Sequence, residues 1–157
     1  MIEQIYNYFT FETIYLWLNI GVIPFWLILI IFPESKISNF FVISIFPMLI
    51  LSITYSYVLY NVLINEYNFL INFRLYLSMK DLSELFLDKN FILLFWTHFL
   101  SINLFCGGWI VNDYQKFEIS KFIMSLPLII TYFIGPLGIF IYWIIKIFFS
   151  KKINLYE

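Results

Sequence analysis

Alanine is missing from this 157-residue chain, cysteine and histidine occur once each, and charged residues make up only 12% of the sequence. The single cysteine, Cys106, rules out an internal disulfide and any paired-cysteine metal site, and it reads as a small packing residue rather than a nucleophile. One histidine, His98, cannot form a di-histidine metal site. No HExxH motif and no glycine-rich phosphate loop is present, so neither metal binding nor nucleotide hydrolysis is expected, and no cofactor is assigned. No basic stripe lies outside Lys151-Lys152, which argues against nucleic acid as a partner. The first twelve residues carry Glu3 and Glu12 but no Lys or Arg, and no small-residue cleavage pattern follows, so a secretory or transit peptide is not expected. The lack of alanine beside abundant Ile, Phe, Asn, Tyr and Lys fits a bias toward AT-rich codons. The 24% aromatic content is therefore weak evidence for an aromatic cage.

What the chain does have is apolar length. It is 62% hydrophobic with mean hydropathy +0.89, outside the range of a soluble domain of this size. It reads as a single all-α membrane domain over 1–157. Four runs, at about 11–32, 37–64, 91–111 and 122–145, are each long enough to cross a hydrocarbon core about 30 Å thick. The predicted architecture is a bundle of four transmembrane helices.

Prolines divide these runs. Pro24 in the first, Pro47 in the second and Pro136 in the fourth each remove a helix hydrogen bond, from the carbonyls of Ile20, Ile43 and Tyr132 respectively, and predict bends. The third run has no proline and is the expected straight post. Between the second and third runs, Leu75, Met79, Leu82, Leu85 and Phe86 recur at helical spacing among Lys80, Asp81, Glu84 and Asp88. With capping-box spacing at Ser78-Met79-Lys80-Asp81, this predicts a short amphipathic helix at the membrane surface over about 78–88. Ser52 and Ser56, four apart, allow close approach of another helix. Tyr55, Tyr57 and Tyr60 fit an interfacial aromatic belt.

For a four-span chain, the N-terminal segment, the connection with Arg74, Lys80 and Lys89, and the C-terminal segment with Lys146, Lys151 and Lys152 share one side. The other side holds Lys36, Lys116 and Lys121. The six-to-three excess predicts both termini in the cytoplasm.

The candidate chemistry clusters on the third run. A histidine and an amide inside such a span should face neighbouring helices, a ligand or water, because each is expensive in lipid. His98 can donate from one ring nitrogen and accept at the other, so it is the candidate base, or alternatively a helix-to-helix hydrogen-bonding group. Asn103 lies about 140° around the helix from His98. Gly107-Gly108 opens room for a helix or a bulky apolar ligand. Asp113 sits at the membrane exit, ionised and superficial unless the fourth helix covers it. Asn19, one turn before the Pro24 gap, fits a local hydrogen bond or a ligand contact. Gly135-Pro136-Leu137-Gly138 makes a kink that either packs tightly or shapes a cavity wall.

These residues resemble the abscisic-acid-deficient-four-like family of small membrane proteins. Trp96-Thr97-His98-Phe99, Leu104-Phe105-Cys106-Gly107, Trp109-Ile110 and Asp113 look like its Trp-x-His, Leu-Phe-x-Gly and Trp-Ile-x-x-Asp series. Leu126-Pro127, Thr131-Tyr132-Phe133, Gly135-Pro136-Leu137-Gly138 and Tyr142 resemble its closing helix, and Asn19, Trp26 and Pro33 its first span. Plant members are needed to make neoxanthin from violaxanthin, a redox-neutral isomerisation that opens an epoxide and forms an allene. The resemblance implies a cofactor-free isomerase or a binder of a carotenoid, isoprenoid or other lipid. His98 is then base and Asp113 candidate acid, with Asn19, Trp96, Asn103, Gly107, Trp109, Gly135 and Pro136 around the substrate. The family usually has aspartate at the place of Asn103; an acid there could protonate an epoxide oxygen, whereas asparagine can only hydrogen-bond to it. The alternative is a non-enzymatic accessory or scaffold protein in which His98 and Asn103 only join helices. Expected partners are the bilayer and a carotenoid or other lipid, with a homo-oligomer or a membrane partner also possible.

Overall fold

The computed structural model describes residues 10–64, 77–117 and 119–150. Expectations for Glu3, Arg74, Leu75, Lys151 and Lys152 lie outside them. Among the described residues all regular structure is helical. Helix α1 spans Phe11–Ile31, α2 Phe46–Ile64, α3 Met79–Leu85, α4 Lys89–Tyr114, α5 Lys121–Phe133 and α6 Gly135–Ser150. A one-turn helix, Lys36–Ser38, runs into a π-helical turn, Asn39–Ile43, ahead of α2. Three helices, α1, α2 and α4 with its 3-10 extension to Phe117, are long and apolar enough to cross a membrane.

Two of the four predicted spans need correction. The second run does not continue from residue 37 to 64. Ser44 adopts an extended conformation, φ −70° and ψ 173°, and α2 begins two residues later. Pro47 therefore stands in the first turn of α2, where its missing N–H has no helical partner to lose. By contrast α1 passes through Pro24 as a single helix.

The fourth run is not one span but two helices of 13 and 16 residues, α5 and α6, which pack on each other. Helix α5 stops at Ile134, where φ −141° and ψ 83° leave the helical region. Gly135-Pro136 then starts α6, with proline where its fixed φ suits a new helix. The close approach of the two helices depends on Gly138. A Cβ there would overlap Thr131, lying 2.5 Å from its backbone nitrogen and 2.6 Å from its Cα. The residues buried on α5, Met124, Pro127, Leu128 and Thr131, repeat at helical spacing along one face. Thr131 returns its hydroxyl to the Pro127 carbonyl at 2.7 Å, so no buried polar group is left open there.

The expected capping at the start of α3 is present: the Ser78 hydroxyl accepts from the Asp81 N–H at 3.2 Å. Ser52 and Ser56 on α2 are both exposed, so no helix among the described residues packs closely on that pair.

The chain divides into two compact units, Met1–Ile20 with Ile50–Phe99, and Gly21–Leu49 with Leu100–Glu157. Each has its own core: Ile14, Leu18, Leu51, Val58 and Leu93 in the first; Trp26, Leu29, Leu104, Ile110, Leu128 and Tyr142 in the second. The outer surface is itself apolar, with Phe105 60%, Phe122 79%, Phe133 65% and Phe40 69% exposed. Side chains of that kind over whole helices are stable against hydrocarbon and unstable against water.

Candidate functional site

In the first unit, α1 and α4 run in register. Glu12 meets Lys89 at 3.9 Å, the Tyr15 ring lies 5.9 Å from that of Trp96, and the Trp96 indole N–H donates to Asn19 Oδ1 at 3.1 Å. Asn19 also donates from Nδ2 to the Tyr15 carbonyl at 2.7 Å. Two residues expected around a substrate thus satisfy each other, and the local hydrogen bond expected of Asn19 is made. His98 departs from expectation. Its side chain is exposed on α4 rather than turned into a core, and its ring neighbour is Tyr55, 6.2 Å away between centroids.

The second unit gathers the rest. Asp113 is 4% exposed: of the two cases left open for it, the covered one is found, because α6 folds back over it. The Tyr142 hydroxyl donates to Asp113 Oδ2 at 2.6 Å and Lys146 Nζ donates to the same oxygen at 2.7 Å. Lys116 approaches the other oxygen at 3.4 Å. Tyr142 is fully buried and Lys146 is 2% exposed. Lys146 also sits 4.7 Å from the centre of the Phe117 ring, and Trp109 meets Tyr142 edge-on at 5.6 Å. A buried carboxylate with both oxygens engaged by donors is a compensated anion.

Asn103 performs a related task at the other end of the hairpin. Its Nδ2 donates to the Tyr132 carbonyl at 3.3 Å, one of the last carbonyls of α5, which have no helical N–H ahead of them once the helix ends at Ile134. Gly135 makes this contact possible, since a Cβ there would collide with Asn103 Oδ1. Gly107 serves Trp26 in the same way, whose ring carbons lie 2.7 and 2.8 Å from where its Cβ would be. Trp26 in turn meets Tyr132 edge-on at 5.4 Å. Asn103, Gly107, Gly135 and Tyr132 thus belong to one packed cluster, while Pro136 is exposed at the hairpin tip.

One face of α4 stays open. Beside it lies a groove of about 310 Å³, lined by Val42, Ile43, Ile45 and Met48 from the broken segment and by Leu104, Phe105, Gly108 and Trp109 from α4. Ser44 and Asn112 are its polar residues. Of the predicted substrate contacts, Trp109 lines it.

Tyr142 and Lys146 as partners of Asp113 escaped the sequence reading, as did the wall from residues 42–48. A four-span reading makes Lys146 a loop charge, although its spacing of four from Tyr142 puts both on one face of α6, a signal for a shared buried partner.

These features define a helical integral membrane protein whose last two helices form a hairpin, clasped to the long helix before it by a buried carboxylate, phenol and ammonium. More particularly, the chain belongs to the ABA DEFICIENT 4-like family, whose model matches residues 13–142. Comparisons with curated proteins and with solved structures return no match.

Proposed function

We propose that this protein binds a long isoprenoid or other lipid, of the carotenoid class, sideways from the bilayer in the groove beside α4. The observation that carries the reading is the groove's composition: apolar walls from Val42, Met48, Leu104, Phe105 and Trp109, with Asn112 able to hydrogen-bond an oxygen on the ligand. A volume of about 310 Å³ suits one end of such a molecule, the remainder lying in lipid. The break at Ser44 supports this use, because irregular backbone in a membrane protein is tolerated where it lines a cavity. Family membership supports the substrate class. The proposed membrane arrangement is three crossings, α1, α2 and α4, with α3 lying at the interface.

The accessory reading is favoured by a separate observation. Asp113 and Asn103, which would carry acid chemistry or substrate contact, are both engaged in holding α5 and α6. Binding without turnover follows most directly from that arrangement.

The test is expression of the full chain in a host that accumulates epoxy-carotenoids, followed by purification and pigment analysis. We expect pigment to co-purify, and Gly108→Leu, which fills the groove where a Cβ finds its nearest neighbour at 3.9 Å, to lose it at unchanged thermal stability. Absence of pigment from intact protein, or its retention by Gly108→Leu, overturns the proposal. A new pigment that disappears in His98→Ala would move the protein from binder to isomerase.

A further inference from the structure

The hairpin changes which charges share an end of the second unit. Because Lys146 reaches back to Asp113 at 2.7 Å and to the Phe117 ring, α6 ends beside the turn that follows α4 rather than across the bilayer from it. The turn after α1 lies at the same end, with Tyr114 donating to Glu34 at 3.3 Å and Gln115 to the Pro33 carbonyl at 3.3 Å. Lys146 is spent inside on Asp113 and no longer counts as a loop charge. Among the described residues, three exposed lysines, Lys36, Lys116 and Lys121, then stand at this end against one exposed carboxylate, Glu34. Lys116 is also paired, with Asp113 at 3.4 Å, but that carboxylate is shared with Lys146, so lysines still outnumber carboxylates at this end. In the sequence Glu118 falls in the same turn, and Lys151, Lys152 and Glu157 follow Ser150, which leaves the excess of lysine in place.

The loop charges of the first unit are balanced differently. Lys80 and Lys89 are each paired, with Glu84 and Glu12 at 3.9 Å, and Asp81 and Asp88 are additional carboxylates. Juxtamembrane lysines are attracted to anionic headgroups by about 1 kcal/mol each, and their excess marks the cytoplasmic side.

We infer that the face carrying Lys36, Lys116 and Lys121 is a cytoplasmic docking surface for anionic lipid headgroups, with the C-terminal end of α6 on that face and the start of α1 on the opposite side. This reverses the side expected for the N-terminus from a four-span count. The hairpin returns α6 to the side on which α5 begins, so that with α1, α2 and α4 crossing, the start of α1 and the end of α6 lie on opposite sides.

Two measurements on the full-length protein decide it. Single cysteines are placed in a Cys106→Ser background by Ser83→Cys on α3, by Ser120→Cys before α5, and by a cysteine appended after Glu157. Intact bacterial cells are then treated with a membrane-impermeant maleimide. We expect labelling at position 83 in intact cells, and at position 120 and the appended cysteine only after permeabilisation. Labelling of 120 and the C-terminus from opposite sides, or of both from outside, overturns the inference.

Second, spin-labelled phosphatidylglycerol and phosphatidylcholine are compared for association with the reconstituted protein. A preference for the anionic lipid of at least fivefold is expected, the factor that about 1 kcal/mol from one lysine supplies. It should fall toward unity in the triple variant Lys36→Gln, Lys116→Gln, Lys121→Gln. Equal association of the two lipids with the unaltered protein, or a preference that survives the triple variant, sinks the docking surface. Neither result depends on the groove beside α4.

Discussion

Asp113 shows what a single buried charge demands in an apolar protein. Desolvating a carboxylate is costly, and the cost is met here by an ammonium and a phenol on the same oxygen, at 2.7 and 2.6 Å. Removing one partner should therefore be worse than removing both. Lys146→Met leaves the buried carboxylate with only the longer, half-exposed Lys116 contact as its counter-ion and is expected to destabilise by about 3 kcal/mol, while Asp113→Leu with Lys146→Met together recovers most of that loss. Thermal unfolding in a single detergent checks the order of the three proteins. A double variant no more stable than Lys146→Met would show that the pair is more than mutual compensation. Asn103 follows the same logic with a neutral group, supplying the hydrogen bond that the end of α5 leaves the Tyr132 carbonyl without.

At the scale of elements, the hairpin of α5 and α6 is set by its small residues. Gly138 has no room for a Cβ, because the atoms in the way are the backbone nitrogen and Cα of Thr131. Backbone cannot move aside as a flexible side-chain tip can. Gly138→Ala is expected to cost about 2 kcal/mol or more through forced separation of the two helices. Gly21 on α1 supplies the internal control, since nothing lies within 4 Å of its added Cβ. Gly21→Ala should be neutral or stabilise by up to about 1 kcal/mol through helix propensity. The difference in melting temperature between the two variants is the measurement, and equal effects would remove the argument for a tightly closed hairpin.

For the whole molecule, the decisive quantity is the apolar outer surface. Leu16, Ile20, Leu27 and Ile31 on α1 are each about half exposed, and Phe105, Phe122 and Phe133 more so. Such a surface is satisfied by hydrocarbon, with the backbone hydrogen bonds closed inside helices. The full chain is expected to stay in the membrane pellet through alkaline carbonate extraction and to leave it only with detergent. Release by carbonate would mean that the helices lie on the bilayer instead of crossing it.

Much of this was legible in the residues themselves. Helical class, membrane residence, the continuous third run and the Ser78 cap follow from composition, run length and local spacing, because these are short-range properties of a chain in lipid. The family was legible too, from the series between Trp96 and Tyr142. What only the tertiary structure decided was direction and pairing. An apolar run of 24 residues interrupted by Gly-Pro can bend and continue or turn and come back, and local rules permit both. The choice rests on contacts between residues far apart in the chain: Asn103 with the Tyr132 carbonyl, Gly138 against Thr131, and Lys146 with Asp113 across 33 positions. Those contacts bury Asp113 and withdraw Lys146 from the loop charges, since burial and charge pairing depend on which surfaces meet.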